Sequence, residues 1–142
     1  MTSVYKLLGQ LWRERPEMLR ALMRKRMVEW RRQKSVVRVE KPLRLDRARA
    51  LGYKEKQGYV VIRVRVRRGG FSKPRPRSGR RQKALGVVRH KINVSMKEEA
   101  INKVRKHFPN LRPLGAYSLA QDSLYRWYEV VAVDPHHPAV NI

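Results

Sequence analysis

The order of apolar patterns along the chain predicts an α+β domain with a small, mainly antiparallel sheet covered by helices. Two N-terminal stretches repeat apolar residues at helical spacing. Strand-like runs at 35–40, 58–67, 112–120 and 124–133 are unevenly spaced among helical segments. The last two are separated only by Gln121-Asp122-Ser123, which predicts a closing hairpin. After the N-terminal helices the expected order is β-α-β-α-β-β, with a long loop before the second of these helices.

Val4, Leu7, Leu8, Leu11 and Trp12 share one face of a first helix. Pro16 suits the first turn of a second, where its missing N–H costs nothing. On that helix Leu19, Leu22, Met23, Met27 and Trp30 form an apolar stripe expected to pack in the core. Arg20, Arg24 and Arg31 lie opposite, with Lys25 and Arg32 alongside, and the excess of positive charge favours phosphate contact for them. Val-rich Ser35 to Glu40 reads as a first strand. Pro42 opens a short helix over 43–51 that Gly52 is placed to end.

In the next strand, 58–67, Ile62, Val64 and Val66 alternate with Arg63, Arg65 and Arg67. The expectation is a half-buried strand whose other face is an exposed ladder of guanidinium groups. Val87 to Val94 is expected to form a further extended piece. Ser95, with Glu98 three residues on, makes a capping box for a helix whose core face is Ala100, Ile101, Val104 and Phe108, ended by Pro109. On the last strand Trp127 alternates with Tyr128, so Tyr125, Trp127, Glu129 and Val131 share one face and Tyr128, Val130 and Ala132 the other. One of these faces is expected to be core.

The 142 residues suffice for one domain. Its parts are N-terminal helices (1–33), an α+β core (35–134) with a basic loop (67–86), and a short C-terminal extension (135–142). Net charge is +24, from 35 Lys/Arg against 11 Asp/Glu, which calls for an anionic partner. A 42% hydrophobic content excludes a merely disordered polycation. The absence of cysteine excludes disulfides, thiolate zinc and cysteine catalysis. No run approaches the roughly 20 apolar residues of a membrane span, and the N-terminus lacks a secretory pattern. The expectation is a cytoplasmic, polyanion-binding protein.

Residues 56–97 contain no Asp or Glu, and Arg67 to Lys83 carries eight Lys/Arg in seventeen residues. Gly69, Gly70, Pro74, Pro76 and Gly79 break any regular element there. Such a segment cannot be buried, because isolated charges are too costly in a core. It cannot stabilise itself, since its charges repel, and RNA is the polyanion that best answers it. Arg outnumbers Lys by 23 to 12. The guanidinium forks onto phosphate and stacks on bases, which leans towards ordered contacts.

The candidate RNA-binding residues follow from this pattern. They are Arg44, Arg47 and Arg49 on the short helix, Lys54 and Lys56 after it, and Arg63, Arg65 and Arg67 on the strand. The loop adds Arg68, Gly69, Gly70, Phe71, Lys73, Arg75, Arg77, Arg80, Arg81 and Lys83. Arg89, His136 and His137 complete the set. Glycine lets the backbone approach phosphate, and Phe71 either stacks on a base or anchors the loop.

Asp134-Pro-His136-His137-Pro138 invites a metal or catalytic reading, but adjacent side chains on an extended chain point opposite ways. The X-Pro pairs suit a rigid turn instead, in a structural or RNA-contacting role. His90 and His107 are isolated, so no metal site and no cofactor are expected. No phosphate-binding P-loop, nucleophile elbow or acidic two-metal cluster is present, and no enzyme is expected. The aromatic stacking pattern of an RNA-recognition motif is also missing.

Several stretches are similar to one family. Glu29-Trp30-Arg31-Arg32, Pro42 to Lys54 (PLRLDRARALGYK), Lys56-Gln57-Gly58, Val64 to Gly70 (VRVRRGG), Lys73-Pro74-Arg75-Pro76, Trp127-Tyr128-Glu129-Val130 and Asp134 to Pro138 (DPHHP) resemble archaeal and eukaryotic large-subunit ribosomal protein number fifteen. The loop is nearer the archaeal style. The resemblance spans the chain and implies a non-catalytic constituent of the large subunit, bound to its rRNA and beside other ribosomal proteins. It also implies a β-α-β-α-β-β core. The family commonly continues for several tens of basic residues beyond DPHHP, whereas this chain ends at Ile142, so no contact of such a tail is assigned. The alternative is a free-standing nucleic-acid-binding architectural or RNA-chaperone protein.

Overall fold

The computed structural model describes residues 3–70, 73–87 and 93–140. Within them run α1 (Val4–Glu14), α2 (Glu17–Arg32), β1 (Val36–Val39), α3 (Leu45–Ala50) and β2 (Tyr59–Arg67). A 3-10 turn (Gln82–Ala84), α4 (Met96–His107), β3 (Arg112–Gln121) and β4 (Tyr125–Val133) follow. The strands pair in the order β1-β2-β4-β3, each neighbour antiparallel, so the expected α+β class and element order hold. The extended piece expected over 87–94 falls mostly on residues 88–92, outside the described residues.

Local chemistry sets the boundaries. Pro16 occupies the N-cap of α2 with extended ψ, so its missing N–H leaves no helix bond unmade. The Ser95 hydroxyl accepts from the Glu98 N–H at 3.1 Å, which caps α4 as the sequence predicts. Gly115 on β3 admits the side chain of Leu51, since a Cβ there would lie 2.8 Å from Leu51 Cδ2. That close approach seats the end of α3 on the sheet. The pairing of β3 with β4 shifts register between Pro113 and Gly115 and again between Ser118 and Ala120.

Helices cover both faces of the sheet, and this corrects two expectations. Ile62, Val64, Val66, Ala116, Tyr128, Val130 and Ala132 pack under Ala100 and Val104 of α4. On the other face Val61, Tyr117, Leu119, Trp127 and Val131 pack under Trp12, Met23, Trp30 and Ala48 of α1, α2 and α3. Both faces of β4 are therefore core, not one. Trp30 and Trp127 meet with ring centroids 6.0 Å apart. Burying a large apolar side chain contributes about 1.5–3 kcal/mol, so this double burial is the main stabilising term for the sheet.

The N-terminal helices bury less than their patterns suggest. In α1 only Trp12 is buried and Leu8 half-buried, while Val4, Leu7 and Leu11 stay exposed. In α2 Met23 and Trp30 are buried and Leu19 and Met27 partly so, but Leu22 faces outward.

Candidate nucleic-acid interface

A buried carboxylate organises the cationic surface. Glu129 on β4 is fully buried, and its oxygens accept from the Leu43 N–H at 3.1 and 3.2 Å. They also accept from the Tyr117 hydroxyl at 2.6 Å. Burial raises the Glu129 pKa above the usual carboxylate value, against these donors and the nearby Arg63 charge. Burial and the same carboxylate push the Tyr117 phenol well above its ordinary range. The consequence is positional. Glu129 ties the entry to α3 to the sheet and so fixes where Arg44 emerges.

Arg44 stacks over Trp12 at 5.1 Å and donates to Asp46 at 3.1 Å, with both side chains largely buried. Arg47, Arg49, Lys54 and Lys56 are exposed, without ion-pair partners among the described residues.

The strand arginines do not form an exposed ladder. Arg63 is 8% exposed, its guanidinium 4.5 Å over the Trp30 ring and donating to Gln33. Burial lowers its pKa, an effect Glu129 opposes from the paired position on β4. Arg65 is half-buried, stacks over Tyr125 at 4.6 Å and donates to the Arg31 carbonyl at 2.7 Å. Only Arg67 is exposed. The reason is physical: Arg can lay its stem and guanidinium plane along aromatic rings, so alternation of Val with Arg does not require a wet face. α2 occupies that face instead.

The basic loop leaves the end of β2 at the hairpin edge. The Arg68 N–H donates to the Leu124 carbonyl at 2.7 Å, and its guanidinium to the Asp122 carbonyl. Asp122 also accepts from Arg31 at 2.8 Å. Burial acts to raise the Asp122 pKa, yet Arg31 and the backbone N–H groups of Tyr125 and Leu124 hold it below its ordinary value. Beyond this anchor Gly69, Gly70, Lys73, Arg75, Arg77, Arg80, Arg81 and Lys83 are exposed. Arg80 donates to the carbonyls of Arg77 and Ser78 at 3.1 and 3.2 Å, folding the tip on itself. In the five salt bridges among the described residues no carboxylate pairs with Arg75, Arg77, Arg80, Arg81 or Lys83. Phe71 and Arg89 lie outside the described residues.

The DPHHP motif forms the expected turn. The His136 N–H donates to Asp134 Oδ1 at 3.0 Å, and His137 Nδ1 accepts from the Ala139 N–H at 3.2 Å. His136 is exposed and His137 half-buried. The turn closes over Gly58 (φ 89°), where an added Cβ would overlap Val140 and lie 3.2 Å from His137. Among the described residues no three His, Asp or Glu side chains are placed to hold a metal ion, and no helix is long and apolar enough to cross a membrane.

Other basic residues contribute that sequence reasoning left out. Of the basic face on α2, Arg20 and Arg24 pair with Glu17 at 3.9 and 2.7 Å, and Arg31 with Asp122. Arg15, Lys97 and Arg126 instead gather with Arg44 and Arg47 around one cleft. Its wall comes from five separate elements, and no periodicity brings them together.

The fold is an α+β protein, a helix-covered antiparallel sheet that carries a carboxylate-poor cationic loop and helix edge. The family model described as Ribosomal L15 matches residues 3–142. The chain belongs to that family, which places it in the large ribosomal subunit in the cytoplasm, as a structural constituent of the ribosome.

Proposed function

We propose that the chain binds large-subunit rRNA as a structural, non-catalytic element, with the arm from Arg67 to Lys83 neutralising phosphates of neighbouring RNA segments. One observation carries this reading: along the exposed arm Arg67, Arg68, Arg75, Arg77, Arg80, Arg81 and Lys83 pair with no carboxylate in the salt bridges among the described residues. Like charges held together raise the energy of the free protein, and a polyanion relieves it. Arg44, Arg47, Arg49, Lys54 and Lys56 extend the contact along α3 and the segment after it. His136 and Arg67 join it at their exposed positions, while Arg63, Arg65 and His137 act from within by holding the scaffold. The apparatus recognises shape and phosphate rather than base edges. Other large-subunit proteins are its protein neighbours.

Titration of a large-subunit rRNA transcript at increasing salt tests the reading. Each phosphate contact contributes about 0.7–0.9 to the slope of log affinity against log salt. Replacing Arg67, Arg68, Arg80 and Arg81 by Ala is expected to lower that slope by about 3–4 with the fold intact. An unchanged slope, or equal preference for double-stranded DNA, contradicts it.

A further inference from the structure

The cleft between the α1–α2 junction, α3, the start of α4 and the β3–β4 edge has a built character that the arm lacks. Arg15, Arg44, Arg47, Lys97 and Arg126 line it, together with Tyr117 and Ser118, and no carboxylate does. Asp46 pairs with Arg44 just outside. Five cations less that one carboxylate leave an excess of four positive charges about a volume of about 360 Å³, within the size range of ligand sites.

Two of the guanidinium groups are held by the protein in ways that spare their outer nitrogens. Arg126 stacks over Tyr128 at 5.5 Å and donates through Nε to Ser118 Oγ at 3.1 Å. Arg15 donates through Nε to the Trp12 carbonyl at 3.3 Å. In both, the forked Nη pair stays available for two parallel bonds to an oxyanion. Arg44 stacks on Trp12 and gives one outer nitrogen to Asp46, while the neighbouring Leu43 N–H is held by Glu129. Ser118 Oγ accepts from Arg126 and so keeps its own proton to donate.

Arg15 adds a second kind of observation. It has φ 49° at the C-cap of α1, a left-handed conformation unusual for a residue with a Cβ. The Arg15 N–H donates to the Leu11 carbonyl at 2.9 Å, so this conformation ends the helix. Here it turns the chain between α1 and α2 so that Arg15 joins the cleft. Arg47 and Lys97 are exposed at the rim without ion-pair partners among the described residues.

We propose that this cleft seats one backbone phosphate of RNA, fixing the register of the protein on its partner while the arm supplies diffuse neutralisation. The proposal rests on the RNA-binding reading above. Inorganic phosphate presents the same oxyanion, so it serves as the probe of the cleft alone.

The full chain is melted in inorganic phosphate and in chloride at matched ionic strength, and then titrated with a large-subunit rRNA transcript. Phosphate is expected to raise the melting temperature of the wild type. R47Q/K97Q, which alters only exposed side chains, and R126Q should each lose that rise and bind the transcript about tenfold more weakly, with a salt slope lower by about 1. R80Q/R81Q in the arm should keep the phosphate rise while losing RNA affinity. A rise retained in both cleft variants overturns the proposal. Loss of the rise with RNA binding unchanged assigns the cleft to free phosphate and overturns the RNA source. If only the arm variant weakens RNA binding, the cleft proposal falls and the broader reading stands. If no variant weakens it, the broader reading falls as well.

Discussion

Replacing Glu129 by Leu removes the latch without opening a large cavity. The carboxylate accepts from the Leu43 N–H and from the Tyr117 hydroxyl, and it lies across the β2–β4 pair from buried Arg63. A stranded buried donor costs about 1–3 kcal/mol, so the two give about 2–6. The turn carrying Leu43 is only half-buried, and its N–H can turn to water once released. With the attraction to Arg63 also lost, the loss expected here is about 3–5 kcal/mol. With a urea slope of about 1.5 kcal/mol per molar, the unfolding midpoint should fall by about 2–3 M. Tyr117→Phe alone should cost about 1 kcal/mol, and nothing further in the Glu129→Leu background. A loss below about 1 kcal/mol for Glu129→Leu, with unchanged slope, would refute the latch.

Arg63→Met keeps the stem but removes the cation over Trp30, leaving Glu129 without its facing charge. A loss of about 2–4 kcal/mol in urea unfolding, with RNA affinity of the folded fraction unchanged, is expected if Arg63 serves the scaffold. Gly58→Ala should lose about 1–3 kcal/mol in thermal unfolding, because φ 89° disfavours a Cβ that would also meet Val140. Val140→Ala in the same chain should restore only the steric part. Asp122→Asn should cost about 1–2 kcal/mol at neutral pH. The folded pKa of Asp122 lies below its ordinary 3.8, so its stabilisation is present above that value and fades as pH falls through the folded pKa. The gap between wild type and Asp122→Asn should therefore close in acid unfolding titrations. A gap that widens in acid would contradict the assignment.

Much of the scaffold was legible because its signals are local. The Ser95 cap, the Pro16 helix start, the β3–β4 hairpin and the DPHHP turn each depend on a few adjacent residues. The exposed arm was legible for the same reason, since a run of cations broken by Gly and Pro has nowhere to go but outward. The arginines of β2 misled because a period of two identifies faces without saying what covers them. Trp30 and Gln33, some thirty residues earlier, decide that Arg63 lies inside. The apolar stripe of α1 misled in the opposite sense, since a helix at the edge of a layer buries only the part of its face that meets another element. The cleft was invisible for a further reason. Arg15, Arg47, Lys97 and Arg126 are far apart in sequence, and only the crossing of α3 over the sheet brings them to one place.

The central claim is that this chain is held in the large subunit through its basic arm. Sedimentation of tagged wild-type chain and of the Arg67, Arg68, Arg80 and Arg81→Ala variant, from cells in moderately high salt, tests it most directly. The wild type should travel with large subunits, and the variant, equally well folded by circular dichroism, should shift several-fold towards the top of the gradient. A variant that stays with large subunits at the wild-type level would contradict the claim.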